Sequence, residues 1–377
     1  MRILHLIDSG GVYGAERVLL YLAREQQRQG QQPILGSIAR PGARSPQIEG
    51  HADAFGIPVV PIRIAPRPSP AVIRTLLGTI GAAKADVLHS HGYKANILLG
   101  PVARRRRGPM LATLHGWTGG RPFSAMWMYE CVERWALPRI DSLVVVTRAM
   151  LALPALRRVQ PARCHVIENG IPSRETRLAD MVSMQVPELP ASITSYMRRA
   201  PTLVAIGRLS GEKGFGILID AFARCRKSDA ETRQLLIIGE GPQRTALEAQ
   251  IEALGLREHV MLAGYVEGAD RALAGAVGFV MSSLTEGMPL VLLEAMQWNV
   301  PILATAVGAI PDLLAQGQRG SLVPPGSVTA LADALQLMAA QASALRGSAK
   351  LAAAAVSGEY SSARMEREYR AVYGEIA

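Results

Sequence analysis

Residues 2–29, RILHLIDSGGVYGAERVLLYLAREQQRQ, give the clearest indication of the fold class. An apolar run at 2–7 is followed by a glycine-containing turn at 8–14, and a helical pattern then runs from Ala15 to about Gln29. A strand, a glycine turn and a helix make the first half of a β–α–β unit. The opening of the chain therefore predicts an α/β protein built on a parallel sheet.

The same alternation of short apolar runs and helical stretches occupies two parts of the chain. Runs that are apolar without interruption are typical of strands buried on both faces, as in a parallel sheet covered by helices. We predict further strands at 34–38, 59–62, 86–89, 110–114, 142–146 and 164–167, and then at 203–206, 235–238, 260–262, 278–281, 302–304 and 321–323. In the second part we predict helices near 216–227, 242–254, 269–274, 290–298 and 328–354.

Residues 173–200 separate the two parts. They contain several prolines and show no clear periodicity, which predicts a linker with one helix. We therefore expect two doubly wound α/β domains, at 1–190 and 191–357. The amphipathic segment 358–377 could pack on either domain, and we assign it provisionally to the first.

Composition agrees with two globular domains and locates the positive charge. The 377 residues are 49% hydrophobic and 19% charged, with a net charge of +10. Residues 1–195 hold 24 basic and 13 acidic side chains, so the whole excess lies in the first half. Such an excess attracts nucleic acid, anionic lipid or nucleotide. Only 5% of the residues are aromatic, which argues against a stacking platform for single-stranded nucleic acid.

The cysteines and the apolar runs bear on the compartment. Cys131, Cys164 and Cys225 form neither a disulfide framework nor a zinc pattern, which favours a reducing compartment. No apolar run reaches the roughly 18 residues that a membrane span needs. We expect a cytoplasmic protein, either soluble or peripheral on the inner face of the membrane.

The segment 283–296, SLTEGMPLVLLEAM, carries the strongest chemical signal. It follows a predicted strand, turns through Glu286, places Pro289 just inside a helix start and continues as a helix that contains Glu294. Backbone N–H groups at a helix start favour phosphate or sugar oxygens, and carboxylates accept hydrogen bonds from vicinal hydroxyls. The alternative is that Glu286 only caps the helix and that Glu294 is solvated.

The pair Glu286 and Glu294, with its apolar spacer, resembles the E-x7-E motif of the retaining GT-B glycosyltransferases of family 4. Further segments resemble this family in order and spacing over nearly the whole chain: 10–17, 86–92, 168–171, 204–214, 236–242 and 300–305. The resemblance implies the GT-B fold, with two Rossmann-like domains that face each other across a cleft. It also implies that the nucleotide-sugar binds mostly to the second domain and the acceptor to the first.

The resemblance assigns roles to particular residues. It implies that Glu286 holds hydroxyls of the donor sugar, that Glu294 holds the ribose and that His115 lies near the reacting carbon. The residues expected to act in catalysis are His115, Arg208, Lys213 and Glu286. Those expected to bind the donor are Gly10, Gly11, Glu286, Gly287, Met288, Pro289, Leu290 and Glu294.

Arg208 and Lys213 have a clear physical role in that interpretation. Breaking the bond to the donor sugar leaves a nucleoside diphosphate, and two fixed cations neutralise its growing negative charge. The sequence contains no Asp-x-Asp, the usual chelate for a metal and a diphosphate. We therefore expect no metal and no cofactor, with a UDP- or GDP-sugar as substrate. Alternatively, Arg208 and Lys213 are ordinary surface cations.

Histidines follow two neighbouring strands of the first domain. His115 ends the strand at 110–114, at the edge where open α/β sheets bind ligands. His89 and His91 lie two residues apart, so a metal site is conceivable, although a third ligand is missing. We expect His91 instead to form hydrogen bonds near the acceptor.

The run Arg104, Arg105, Arg106 and Arg107 is the sharpest basic feature. It is either a solvated charge run, a nucleic-acid contact or a contact to an anionic membrane. A cluster of aromatic and methionine residues at 117–129 belongs either to the core or to the same membrane contact. We expect a membrane surface and a lipid-linked or saccharide acceptor as partners, and no nucleic acid.

Together these features predict a metal-independent glycosyltransferase, and the resemblance to the E-x7-E group implies that it retains the anomeric configuration. Synthesis of bacterial surface polysaccharide, lipopolysaccharide or glycolipid fits the cationic first half. Two alternatives remain open at this point: a GT-B sugar-nucleotide epimerase, and a non-catalytic membrane-associated scaffold descended from such enzymes.

Overall fold

The structure is a computed structural model that describes residues 1–8, 11–65, 67–116, 124–228, 233–340 and 342–377. The chain forms two units. The first consists of Met1–Pro172 together with Tyr360–Ala377, and the second of Ser173–Glu359. The boundary thus falls at residue 172, not near residue 190, and the C-terminal segment belongs to the first unit.

The first unit is built on a seven-stranded sheet whose order is β3-β2-β1-β4-β5-β6-β7, with all paired strands parallel. Its strands are β1 (Arg2–Asp8), β2 (Gln32–Ala39), β3 (Val59–Arg63), β4 (Val87–Ser90), β5 (Met110–Leu114), β6 (Ser142–Val145) and β7 (Cys164–Val166). Its first helices are α1 (Gly14–Arg28), α2 (Gln47–Ala54), α3 (Pro70–Ala83), α4 (Tyr93–Leu99), α5 (Arg104–Arg107) and α6 (Ala125–Ala136).

Local sequence signals set where these helices begin. The Glu16 carboxylate accepts a hydrogen bond of 3.0 Å from the Tyr13 N–H just before α1, which satisfies one of the free donors at the helix start. At α3 the residue before the helix supplies the acceptor: Ser69 Oγ accepts a hydrogen bond of 3.3 Å from Val72 N–H, and Pro70 occupies the first turn. Glu16 therefore has a structural role at the start of α1.

The second unit holds a six-stranded parallel sheet with the order β10-β9-β8-β11-β12-β13. Its strands are β8 (Thr202–Ile206), β9 (Gln234–Ile238), β10 (Val260–Leu262), β11 (Gly278–Met281), β12 (Ile302–Thr305) and β13 (Ser321–Val323). Its helices are α7 (Arg174–Ser183), α8 (Ala191–Arg199), α9 (Phe215–Ser228), α10 (Arg244–Ala253), α11 (Leu290–Gln297), α12 (Ile310–Leu313), α13 (Val328–Ala340) and α14 (Ala342–Gly358). The predicted α/β class and its two doubly wound sheets are confirmed.

The predicted linker is instead part of the second unit. Residues 173–200 contain two helices, α7 and α8, rather than one. Ile193 and Tyr196 of α8 are buried, and Arg177 of α7 is buried against Asp270. The prolines flank these helices rather than preventing them, which is why the missing periodicity misled the prediction. Similarly, the single helix predicted at 328–354 is two helices, α13 and α14.

The chain returns to the first unit through its last helix, α15 (Ser362–Ile376). Just before it, Ile171 N–H donates to Tyr360 O at 2.9 Å, and Ser362 N–H donates to Ile171 O at 2.9 Å. A Cβ at Gly170 would lie 2.3 Å from Ser361 O, so a side chain at position 170 would block this approach. Gly170 thus allows the C-terminal segment to pack on the first unit.

Candidate active site

Lys213 and Glu286 meet where two loops of the second unit come together. One loop follows β8 and the other follows β11, the neighbouring strands between which the strand order reverses. Open α/β sheets bind ligands at such a switch point. Lys213 Nζ lies 2.6 Å from Glu286 Oε1, and Ser283 Oγ donates to the same oxygen at 2.7 Å. Lys213 and Glu286, which were predicted from separate sequence motifs, thus form one ion pair.

Backbone contacts hold these two loops against each other. Leu284 N–H donates to Glu212 O at 2.7 Å, and Ser282 Oγ donates to Lys213 O at 2.9 Å. Gly214 has a φ of +63°, and a Cβ there would lie 2.2 Å from Ser282 O. Only glycine fits this conformation and this approach, so Gly214 is what allows Lys213 to reach Glu286.

Arg208 lies on the same loop, close to the end of β8, and its side chain is exposed. Its charge acts on Glu212, whose pKa is lowered mainly by the hydrogen bond from Ser210 Oγ, with Lys213 and Arg208 contributing. The loop is crowded against β9, because a Cβ at Gly239 would lie 1.8 Å from Gly207 O. Arg208 and Lys213 thus place two cations in the loop that follows β8, and their expected contact with a diphosphate stays a prediction.

The turn into α11 is compact. Pro289 is the residue before the helix rather than inside its first turn, and α11 begins at Leu290. Met288 is buried, and Gly287 O accepts a hydrogen bond from Ala309 N–H at 3.0 Å. A Cβ at Gly308 would lie 2.1 Å from Glu286 O, so the turn after β12 also supports the backbone of Glu286. Whether residues 286–290 bind the donor stays a prediction.

Glu294 is not a solvated helix residue. Its side chain is 2% exposed, and its Oε1 lies 3.5 Å from the guanidinium of Arg177, which is 2.7 Å from Asp270. Arg177 also donates to Gln297 Oε1 at 2.9 Å. Buried charges need such partners, so Glu294 and α7 are fixed together. The expected contact of Glu294 with a ribose stays a prediction.

Of the glycine loop in the first unit, Gly10 lies outside the described residues. Gly11 is buried, and a Cβ there would lie 2.8 Å from the ring of Tyr13. Next to it, the carboxylate of Asp8 at the end of β1 pairs with Lys94 Nζ at 2.9 Å. The expected contact of this loop with the diphosphate stays a prediction.

Four histidines of the first unit, His5, His89, His91 and His115, form one largely buried cluster at the switch point between β1 and β4. His91 lies between two other histidines: its Nε2 is 3.0 Å from His5 Nδ1, and its Nδ1 is 3.0 Å from His115 Nε2. His89 is bonded through Nδ1 to Tyr373 and through Nε2 to Thr113, at 2.7 Å each. His5 was missed in the sequence, because a histidine inside an apolar strand gives no separate signal.

Burial keeps these rings neutral. It lowers the pKa of His5 and of His115 to about 4, and it lowers the pKa of His89 and His91 well below the usual value of 6.5. Neighbouring histidines add to the effect at His89 and His91, because two imidazolium charges would repel each other.

His5, His89 and His91 have ring nitrogens within 4.8 Å of one another, a spacing that resembles a metal site. Both nitrogens of each ring already have a hydrogen-bond partner, including Gln26 on His5 Nε2. A metal would have to break at least two of these bonds in a buried place. The cluster is therefore better described as a hydrogen-bonded network than as a metal centre.

The basic run divides into two kinds of residue. Arg104, Arg105 and Arg106 are exposed, whereas Arg107 is buried and pairs with Asp141 at 2.7 Å. Arg107 also donates to the carbonyl of Arg139 at 2.9 Å, beyond the end of α6. The expectation that all four arginines face a partner is therefore corrected, because Arg107 anchors the run to the protein.

One face of α6 is apolar and exposed. Met128, Val132 and Trp135, spaced four and three residues apart, lie on the same side of the helix and are 45–60% exposed. The Arg139 guanidinium lies 4.0 Å from the centre of the Trp135 ring. Within the cluster predicted at 117–129, residues 117–123 lie outside the described part of the chain.

Among the described residues, no helix has the length and apolar character that crossing a membrane requires.

Comparison with known proteins identifies the family. The model for glycosyl transferases group 1 matches residues 200–341, and that for glycosyltransferase family 4 matches residues 12–175. The two matches divide near the boundary between the two sheets and together span most of the chain. The chain belongs to the group 1 and family 4 glycosyltransferases.

Individual proteins agree with this assignment. The chain is similar to a phosphatidyl-myo-inositol mannosyltransferase of Mycobacterium leprae, with 28% identity over 85% of this chain and 82% of that protein. It is also similar to a 2-deoxystreptamine N-acetyl-D-glucosaminyltransferase of Streptomyces fradiae, with 24% identity over 97% of this chain and 92% of that protein.

Solved structures confirm the GT-B fold. Anabaena HepE, solved in complex with UDP, matches with a TM-score of 0.81 and 21% identity over the whole of both chains. S. aureus TarM matches with a TM-score of 0.76 and 12% identity over 99% of both chains. At these identities the likeness concerns the fold alone.

Proposed function

We propose that this glycosyltransferase transfers a sugar from a UDP- or GDP-sugar to an acceptor hydroxyl with retention of anomeric configuration and without a metal. The observation that carries the proposal is the Lys213–Glu286 pair at the switch point of the second sheet. A carboxylate for sugar hydroxyls and a cation for phosphate lie side by side there. Donors of this class are supported by the UDP and UDP-glucose bound to Anabaena HepE.

The chemistry follows from the charges. The bond between the anomeric carbon and the diphosphate oxygen breaks, and the acceptor oxygen forms a bond to the same carbon. The acceptor approaches the face of the sugar that the phosphate leaves. The proton of the acceptor hydroxyl therefore goes to the leaving phosphate. Arg208 and Lys213 neutralise the charge that grows on the diphosphate, a task that a divalent metal performs elsewhere. Glu286 orients the donor sugar through its hydroxyls.

The acceptor proposed is lipid-linked or a saccharide at an anionic membrane surface. Arg104, Arg105 and Arg106 are exposed beside the end of α6, whose Met128 and Trp135 are exposed as well. Cations next to apolar side chains suit a membrane of anionic lipids. The lipid named as substrate of the M. leprae relative supports this acceptor class. A role in bacterial surface polysaccharide, lipopolysaccharide or glycolipid synthesis follows, on the inner face of the membrane.

The experiment is a donor panel with a chelator present. UDP- and GDP-sugars are incubated with the protein, with and without bacterial lipid extract, and release of nucleoside diphosphate is measured. We expect release with at least one donor, and an NMR spectrum of the product that shows the anomeric configuration of the donor. Lys213→Ala should lower turnover at least tenfold, about 1.4 kcal/mol of barrier. Lys350→Ala, at an exposed lysine of the same unit, is the matched control.

Each part of the proposal has its own contrary outcome. No release with any donor, together with no thermal shift from UDP or GDP, excludes an enzyme and favours the scaffold. Conversion of the donor to an epimer without transfer favours the epimerase. An inverted product excludes retention, and loss of activity with the chelator excludes metal independence.

A further inference from the structure

One continuous hydrogen-bonded chain runs through His5, His89, His91 and His115, and Gln26 of α1 lies at its middle. On one side, Gln26 Oε1 is 2.8 Å from His5 Nε2, and the chain continues to His91 and His115. On the other side, Gln26 Nε2 is 3.2 Å from the hydroxyl of Tyr373. We call this the histidine chain; its members are His115, His91, His5, Gln26, Tyr373, His89, Thr113 and Tyr369.

The amide of Gln26 gives the histidine chain a direction. Its oxygen can only accept, so His5 must carry its proton on Nε2. A neutral imidazole has one proton, so His5 Nδ1 is an acceptor and must receive a hydrogen bond from His91 Nε2. By the same reasoning His91 Nδ1 is an acceptor and receives a hydrogen bond from His115 Nε2. The proton of His115 is thereby placed on Nε2.

The other side of the histidine chain runs in the same direction. The amide nitrogen of Gln26 donates to Tyr373, whose own hydroxyl proton is then directed to His89 Nδ1. His89 therefore donates from Nε2 to Thr113, and the hydroxyl of Thr113 donates to Tyr369. Every member donates to the next, so a single group, the Gln26 amide, sets the orientation of the whole network.

His115 Nδ1 is the free end of the histidine chain. This atom is buried and accepts no hydrogen bond within the described part of the chain. It lies directly after β5, at the carboxyl edge of the sheet. A buried acceptor without a partner is costly, which is a reason to expect a ligand group there. The matching group is a hydroxyl that donates.

We propose that Gln26, His5 and His91 are positioning residues that fix the tautomer of His115, so that Nδ1 presents a lone pair to a hydroxyl of a sugar substrate. The identification of the ligand as a sugar hydroxyl rests on the proposed function, whereas the tautomer of His115 does not. The low pKa of His115 agrees, because a protonated ring would present a donor at Nδ1 instead. The hydroxyl belongs either to the donor sugar or to the acceptor.

The tautomer can be read directly in the full-length protein. Histidine is labelled with ¹⁵N, and long-range ¹H–¹⁵N NMR spectra distinguish protonated from unprotonated ring nitrogens. The His115 signals are assigned from the spectrum of His115→Gln. We expect a protonated Nε2 and an unprotonated Nδ1 for His115 at pH 7. A proton on Nδ1 would overturn the proposal without any further substitution.

A matched pair of tyrosines on α15 tests the role of the histidine chain. Tyr373→Phe removes the acceptor that orients Gln26, so His115 should become a mixture of both tautomers. Tyr369→Phe removes an equivalent hydroxyl at the far end, so His115 should keep its single tautomer. Gln26→Leu should reproduce the effect of Tyr373→Phe. A single unchanged tautomer of His115 in both Tyr373→Phe and Gln26→Leu would contradict the proposal.

Ligand titrations separate this proposal from the proposed function. UDP, UDP-glucose and GDP-mannose, and separately the lipid extract, are added to the labelled wild-type protein. We expect the His115 Nδ1 signal to shift with the sugar-bearing nucleotide or with the extract, and not with UDP alone. A shift with UDP-glucose or GDP-mannose assigns the hydroxyl to the donor, and a shift with the extract assigns it to the acceptor. If these ligands bind without moving the signal, the ligand role of Nδ1 is wrong. If none of them binds, the proposed function fails while the tautomer result stands.

Discussion

Glu286 and Glu294 belong to one motif, yet their surroundings differ. Glu286 is paired with Lys213 and its side chain is 10% exposed, whereas Glu294 is 2% exposed and faces the guanidinium of Arg177. A partly exposed ion pair can be opened by a ligand at little cost, but breaking a buried one costs several kcal/mol. At the scale of single residues, Glu286 is therefore the carboxylate that is better placed to exchange its partner for a sugar.

Glu133 of α6 is a buried carboxyl of the first unit whose protonation is coupled to folding. Burial raises its pKa to about 7, although a hydrogen bond from Asn96 at 2.8 Å acts in the opposite direction. The folded state thus holds a proton that the unfolded chain releases near pH 4.5. The contribution of Glu133 to stability is therefore full below pH 4.5 and is lost as the pH rises to 7.

Glu133→Gln should remove the loss of stability that the wild type shows as the pH rises. Relative to the wild type, we expect the variant to gain about 3 kcal/mol of unfolding free energy between pH 4.5 and pH 8. Hydrogen exchange of the β5 amides at both pH values measures the change in unfolding free energy. Protonation of the histidines affects the wild type and the variant alike, so its contribution cancels in the comparison. Asp53→Asn, at an exposed position of α2, is the control. Equal changes in the two variants would show that Glu133 is ionised in the folded protein.

At the scale of elements, α6 and α5 form a candidate membrane contact. Arg107 ties the short α5 to Asp141 and to the carbonyl of Arg139, close to the exposed Trp135. The arrangement leaves three arginines of α5 exposed. Exposed apolar residues on their own are common, but an apolar stripe beside fixed cations is typical of membrane-surface helices.

Replacing Arg104, Arg105 and Arg106 by serine should weaken binding to phosphatidylglycerol vesicles by about two orders of magnitude, at roughly 1 kcal/mol for each cation. The loss should shrink at high salt, because salt screens these charges. Vesicle sedimentation measures it. Serine at three exposed arginines of the second unit, Arg198, Arg199 and Arg346, is the matched control. An equal loss of vesicle binding in the control would indicate that the arginine run of α5 is only a solvated charge patch.

At the scale of the whole molecule, the first unit is completed by the end of the chain. Met365, Tyr369 and Tyr373 of α15 are at most 1% exposed, and Glu366 accepts a hydrogen bond from Gln31. The two tyrosines also belong to the histidine chain. The fold of the first unit and the orientation of its histidines therefore depend on residues that follow the entire second unit.

Ending the chain at Glu359 should unfold the first unit and leave the second folded. Losing a single buried aromatic side chain costs about 3–5 kcal/mol, and α15 contributes two. Hydrogen exchange should show loss of protection in β4 and β5 and no change in β8 and β11. Adding a peptide of residues 360–377 should restore protection. Protected β4 and β5 amides in the truncated chain would contradict this prediction.

Much of this architecture is local and could be predicted from the sequence. The continuous apolar runs identified every strand of both sheets to within two residues, because strands buried on both faces must be apolar. The E-x7-E motif and the Arg208–Lys213 loop were recognisable because glycine turns and charges recur at fixed spacings. The α7 and α8 helices were underestimated, because their burial depends on partners far away in the sequence, such as Asp270 for Arg177.

The amino-acid sequence alone predicts the two doubly wound sheets, the membership in the glycosyltransferase family and the identity of the charged residues. Which of those residues meet depends on the folded chain: Lys213 contacts Glu286, 73 positions away, and His89 contacts Tyr373, 284 positions away. The physical reason is that apolar periodicity acts over a few residues, whereas burial, ion pairing and tautomer depend on groups that folding brings together.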